Sequence, residues 1–160
     1  MSLRDYINQI RQQGQLTQVH KTVSRHHQAA GILKALEPDP VIFQAITDSN
    51  FPVMGNLFCT KASFANYLGI KQQDTIATLT QAIDAHTPPQ VVSSAPCQDV
   101  IIHQPDLNAL PILFHCEGDG GPYITSGVMV SGHPKYGQNL DFHRCMQFSK
   151  WEMAVLVVKT

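Results

Sequence analysis

The sequence is short of charge. Asp, Glu, Lys and Arg make up 14% of its 160 residues, well under the roughly 25% of an average globular chain. Eleven basic against twelve acidic side chains leave a net charge of -1. That balance excludes a protein that works mainly by attraction to a nucleic-acid backbone. No apolar run approaches the ~20 residues that cross a bilayer, so no membrane span is expected. The opening stretch MSLRDYINQI is polar and amphipathic, unlike a signal peptide. The four cysteines, at 59, 97, 116 and 145, include no C-x-x-C pair. A disulfide framework belongs to shorter, secreted, loop-rich chains, so four reduced thiols in a cytoplasmic protein are expected. His115-Cys116 and His143-x-Cys145 lack a familiar zinc spacing. A surface poor in charge also suits a molecule partly covered by further protein.

What is present is enough apolar material for a packed core, 43% of residues, which argues against disorder. The length allows one domain, or one domain and part of a second. Ser2 is a candidate N-cap with Asp5 three residues on. Leu3, Tyr6, Ile7 and Ile10 follow at helical spacing, and Gly14 stops the run. Residues 16–23 alternate as a strand. A second helix is predicted over about 26–36, with His26-His27 at its solvated start and Pro38 and Pro40 ending it. Residues 41–43 and 51–58 read as strands, the second containing Gly55 and an Asn56 that could cap or bridge. Ser63 is the expected cap of a helix ending at Gly69, and Ile76, Leu79 and Ile83 mark another over 75–85.

The composition then changes. Residues 86–96 carry three prolines and two serines, a linker or a long surface crossing. Helix signals vanish after it. Residues 99–103 read as a strand and 105–111 as a turn-rich bridge. Residues 123–131, 139–148 and 152–158 read as three consecutive strands, with Trp151 packing at the last turn. The expected class is α+β, a mixed α/β first half and an antiparallel second half. The run from Met153 to Val158 is strongly apolar, and an uncovered strand of that kind is an edge hazard. It is either a central strand that happens to be terminal or, the preferred reading, part of a chain completed by more polypeptide.

Two segments could carry chemistry. In Glu117-Gly-Asp-Gly-Gly-Pro122 the glycines would let backbone amides approach a ligand, or would simply make a tight turn into the strand at Tyr123. It matches neither a P-loop nor the dinucleotide fingerprint. In the strand from Asn139 to Gln147, alternation puts Asn139, Asp141, His143, Cys145 and Gln147 on one face. Leu140, Phe142, Arg144, Met146 and Phe148 take the other. Arg144 therefore sits among apolar side chains, and an unpaired guanidinium there needs an anion. That anion is either a structural carboxylate or a bound phosphate or substrate carboxylate. The opposite face is either solvated or a source of metal ligands.

Several stretches, in order, resemble the UbiD family of decarboxylases, which use prenylated flavin mononucleotide. They are Leu3-Arg-Asp5 with Gly14-Gln-Leu16, and Phe51-Pro-Val-Met-Gly-Asn-Leu-Phe58. Then come Leu110-Pro-Ile-Leu113 with Glu117-Gly-Asp-Gly-Gly-Pro-Tyr-Ile-Thr125, and Gly137-Gln-Asn-Leu-Asp-Phe-His-Arg144. The resemblance implies an N-terminal α/β domain at 1–105, followed at 106–160 by the opening strands of a split β-barrel that binds the flavin. It implies that Asn139 binds a divalent metal, usually Mn2+, and that Phe142 and His143 line the flavin. Arg144 would contact the cofactor and position the substrate carboxylate. Asn139 and Arg144 lie five apart, so Asn139 is expected at a twisted or bulged start of its strand. The family's remaining metal ligands, a His and a Glu, and its acid/base carboxylate have no matching position before Thr160. This chain alone is therefore expected to be inactive.

Three readings follow. The chain is part of a carboxy-lyase acting on aromatic or unsaturated acids, or a stand-alone interaction module, or one subunit of a split enzyme. In each, an oligomer or partner chain is expected to cover the strand at 152–158.

Overall fold

The computed structural model describes residues 1–85 and 87–156. Helix α1 (Leu3–Gln12) starts on the capping box read from the sequence. Ser2 Oγ accepts from the Asp5 amide, and the Asp5 side chain accepts from the Ser2 amide. The Ser2 hydroxyl, donating to Asp5 Oδ2 at 2.7 Å, and then the Ser2 amide on the same oxygen hold the Asp5 carboxyl below its ordinary range. The helix ends where Gly14 takes a φ of 69°, a conformation that costs glycine little. Strand β1 (Thr17–Val19) is shorter than the predicted 16–23, although Val23 bridges to Ile46 beyond it. Helix α2 (Gln28–Ala35) leads to β2 (Val41–Phe43), then β3 (Val53–Gly55). The sheet order is β1-β2-β3, with β1 parallel and β3 antiparallel to β2.

The middle strand explains the core. Alternation sends Val41 and Phe43 to one side and Ile42 to the other. Val41 and Phe43 join Val23, Ala29, Ile46 and Leu113, while Ile42 joins Tyr6, Ile10 and Leu16. All three β2 residues are buried, and a buried Phe or Ile contributes about 1.5–3 kcal/mol. Asn56 bridges, donating from Nδ2 to the Leu33 carbonyl at 2.7 Å.

Helix α3 (Lys61–Leu68) corrects the predicted cap. Thr60, not Ser63, is the N-cap, with its Oγ1 accepting from the Ser63 amide at 3.0 Å. Ser63 is the reciprocal member of the box, its Oγ accepting from the Thr60 amide. The helix ends at Gly69, as expected. Helix α4 (Thr75–Asp84) leaves Ile76 and Ile83 exposed. Residues 99–103 are not a strand. Val100, Ile101 and Ile102 are exposed and pair with no sheet among the described residues; a short apolar, β-branched run forms no strand without a neighbour to pair with.

The second sheet is antiparallel, order β4-β5-β6, from β4 (Tyr123–His133), β5 (Gly137–Gln147) and β6 (Met153–Val155). The predicted strand at 152–158 thus pairs over 153–155. Leu156 is exposed, and residues 157–160 lie outside the described residues. Trp151 sits in the turn between β5 and β6, exposed except for Lys150, whose Nζ lies 3.9 Å from the ring centre.

A strap at residues 107–114 ties the two sheets together. On one side Leu113 enters the β2 core. Arg25 Nη1 donates to the carbonyls of Asn108 and Leu110 at 3.1 and 3.3 Å. On the other side the Leu107 amide donates to the Lys150 carbonyl and the Tyr123 amide to Leu113. His26 and His27 pack on Phe114, with ring centres at 5.8 and 4.8 Å. His27 is the N-cap of α2 and His26 is exposed beside it, so the pair begins the helix as expected and also docks the strap.

Candidate active site on the second sheet

Strand β5 holds all four residues singled out from the sequence. Its side chains alternate as expected. Phe142 lies opposite Val128 of β4, Leu140 opposite Val130, and Met146 opposite Ala154 of β6. These pairs share one face with Arg144. That face is uncovered: Phe142 is 76% exposed, and Val128, Val130 and Leu140 are each more than half exposed. A run of apolar side chains left open around a cation is uncommon on a finished surface.

The register breaks once. It shifts in β4 between Ile124 and Gly127, which face Cys145 and His143. The shift sets both Thr125 and Ser126 against Arg144, the two-against-one pattern of a β-bulge. Asn139, by contrast, pairs in regular register with Ser131. The expected bulge at Asn139 is corrected accordingly: it lies on the neighbouring strand, at Arg144.

Arg144 has no ion-pair partner among the described residues. It borders an open groove of about 620 Å³ with Tyr123, Thr125, Phe142, Met146 and Leu156. It also borders a second, of about 440 Å³, with His115, Cys116 and Asp119. A charged fork between an apolar groove and a polar one can hold a carboxylate or phosphate while an aromatic body lies on the apolar side. Thr125 and Ser126 are not singled out from the sequence as site residues, whereas Asp119 belongs to the glycine-rich segment that is, and His115-Cys116 is weighed there only as a zinc pair. Thr125 ends the Tyr-Ile-Thr stretch of the resemblance, which was the available signal.

The glycine-rich segment is a turn. The Cys116 amide donates to Asp119 Oδ2 at 3.1 Å, and the Asp119 amide to the Cys116 carbonyl at 3.1 Å. A Cβ on Gly120 would lie 3.1 Å from Met146 Sδ, and one on Gly121 3.4 Å from Met146 Cγ. The space that glycine leaves is used by β5 itself. Of the two readings, the structure favours the tight turn.

The opposite face of β5 is polar. Asn139 Nδ2 donates to Asp141 Oδ2 at 2.9 Å, and His143 Nε2 lies 3.3 Å from the same oxygen. Asp141 Oδ1 is buried without a partner. The structure thus brings Phe142 and Arg144 together and sets Asn139 and His143 on the other side of the strand. Among the described residues no three His, Cys, Asp or Glu converge. The oxygens of Asn139 and Asp141 suit a hard divalent cation, and the orphaned carboxylate oxygen fits a site that needs further ligands. The four cysteines are free. No helix among the described residues is long and apolar enough to cross a membrane.

Comparison with known proteins agrees along the chain. Residues 7–83 match the 3-octaprenyl-4-hydroxybenzoate carboxy-lyase N-terminal domain, and residues 90–160 the Rift-related domain of the same carboxy-lyase. The anhydromevalonate phosphate decarboxylase of Methanosarcina mazei is 32% identical over 158 residues, covering 99% of this chain and 36% of that protein. An evolved dimeric form of the UbiD-class enzyme HmfF from Pelotomaculum thermopropionicum, in complex with prFMN, superposes with a TM-score of 0.90. It is 26% identical, over 98% of this chain and 38% of its own. The open form of Sedimentibacter hydroxybenzoicus vanillic acid decarboxylase (ShVdcCD), with truncated ShVdcD, gives a TM-score of 0.84. Its identity is 25%, over 97% of this chain and 38% of its own. The chain spans little more than a third of the length of these relatives. Matched in order by both domain descriptions and by these folds, the chain belongs to the UbiD family of carboxy-lyases.

Proposed function

We propose that this chain supplies the flavin-facing strand of a non-oxidative decarboxylase acting on aromatic or unsaturated carboxylic acids through prenylated FMN. The observation that carries the reading is Arg144, unpaired between two grooves on an open apolar face. Residues 1–105 form the α/β domain in this reading, and residues 106–160 open the split barrel. Phe142 and the backbone at His143 line the flavin. Asn139 holds Mn2+ through its amide oxygen, with further ligands from outside this chain. When bound, the flavin supplies the electron sink for loss of carbon dioxide. Arg144 holds and orients the substrate carboxylate, and the apolar side chains around it exclude water. The free thiols suit a cytoplasmic setting.

The open face of the second sheet needs cover, including the strand predicted at 152–158. Either the rest of a longer polypeptide or a separate chain provides it. The vanillic acid decarboxylase relative, named as ShVdcCD with a ShVdcD part, favours keeping the second arrangement in view. In both, the 160 residues alone do not turn over substrate.

The test is flavin retention by the intact protein that contains this chain. Wild-type protein loaded with prenylated FMN should keep it through gel filtration. Phe142→Asp, which places a charge on an already exposed position, should lose it. Full retention by the Phe142→Asp protein would remove β5 from the cofactor site.

A further inference from the structure

The polar face of β5 contains an arrangement that the proposed metal role of Asn139 does not by itself explain. An asparagine amide has a donating end and an accepting end, and only the oxygen ligates a cation. An ionised carboxylate only accepts. Asp141 Oδ2, 2.9 Å from the Asn139 amide, therefore selects Nδ2 and leaves Oδ1 directed elsewhere. Asp141 is itself restrained. His143 Nε2 lies 3.3 Å from the same oxygen, and its side chain is only 23% exposed. The second Asp141 oxygen is buried without a partner, so the carboxylate is oriented through Oδ2 alone, by Asn139 and His143. The three residues stand at alternate positions of one regular strand, which fixes their spacing.

We propose that Asp141 is a positioning residue for a divalent cation: it fixes the Asn139 amide so that the oxygen, not the nitrogen, is presented, while His143 steadies Asp141. The inference rests on Asn139 being a metal-holding residue. Partners that orient a metal ligand in this way commonly matter almost as much as the ligand.

The test is Mn2+ binding to the intact protein, read from the electron paramagnetic resonance signal of free Mn2+, with thermal melts of every variant. Asp141→Ala should weaken binding by about tenfold. Asp141→Asn keeps an oxygen acceptor in place and should stay within about twofold of wild type. In the Asn139→Asp background both oxygens of residue 139 ligate equally, so adding Asp141→Ala should cause no further loss. This arm keeps the test decisive even where the single alanine variant melts early. If wild-type protein binds no Mn2+, or Asn139→Ala binds it unchanged, the metal role of Asn139 fails and the inference with it. If Asn139→Ala loses Mn2+ and Asp141→Ala does not, the inference alone fails. Equal losses in Asp141→Ala and Asp141→Asn would show that charge, not orientation, is what Asp141 supplies, and would also overturn it.

Discussion

Replacing Arg144 by alanine should remove the anion site without disturbing the fold. The side chain is exposed and has no ion-pair partner among the described residues, so its loss leaves no buried partner unpaired. What is lost is the contact to a bound carboxylate. A hydrogen bond to a charged group contributes about 1.5–3 kcal/mol, and about 1.4 kcal/mol is a factor of ten. Arg144→Ala should therefore lower kcat/KM by roughly 10- to 150-fold. Arg144→Lys keeps the charge and loses the planar fork. With Thr125 and Ser126 of the bulge facing this position, a point charge cannot reproduce a two-pronged grip, so the lysine variant should fall between alanine and wild type. The assay is steady-state decarboxylation by the intact protein, with kcat and KM resolved and the melting midpoint checked. An Arg144→Ala protein within twofold of wild-type kcat/KM would refute the reasoning.

Three further outcomes test the fold that carries the site. Phe43→Ala empties a fully buried position in the β2 core and should cost about 3–5 kcal/mol in denaturant unfolding; a loss under 1 kcal/mol would contradict the assigned core. Thr60→Ala removes the cap of α3 and should cost about 1 kcal/mol, while Ser63→Ala should cost less, because the Thr60 side chain still caps. Asp5 titrates below its ordinary value because Ser2 hydrogen-bonds its carboxylate. A depressed folded value means that this contact supports α1 above the unfolded carboxyl range and is lost as pH falls through the folded value. An NMR titration should place Asp5 below an unstructured aspartate, and Ser2→Ala should raise it part of the way, since the residue 2 amide still donates to Oδ2.

How much of this was legible follows from the range of the interactions involved. Helix α1 was readable because its cap, its apolar spacing and Gly14 lie within one short window. The two faces of β5 were readable because alternation is a property of any strand. The cap at α3 was misplaced by three residues because Thr60 and Ser63 both offer hydroxyls, and only the geometry shows which begins the helix. The segment at 99–103 has the composition of a strand, but pairing requires a neighbour that a local pattern cannot reveal. The bulge beside Arg144 was invisible for the same reason, since it exists only in the register between β4 and β5. The docking of His26 and His27 on Phe114 joins residues remote in the chain, and no local signal announces it. Phe142 and Arg144 were correctly placed on one face. The coupling of Asn139, Asp141 and His143 required distances.

The most direct measurement is carbon dioxide release by the intact protein, loaded with prenylated FMN and Mn2+, from a panel of unsaturated and aromatic acids. Vanillic acid and anhydromevalonate phosphate belong in that panel. The account predicts release from at least one acid, dependent on the added flavin and strongly reduced by Arg144→Ala. Flavin-loaded protein that releases none from any of them, or release that ignores both the flavin and Arg144, would contradict it.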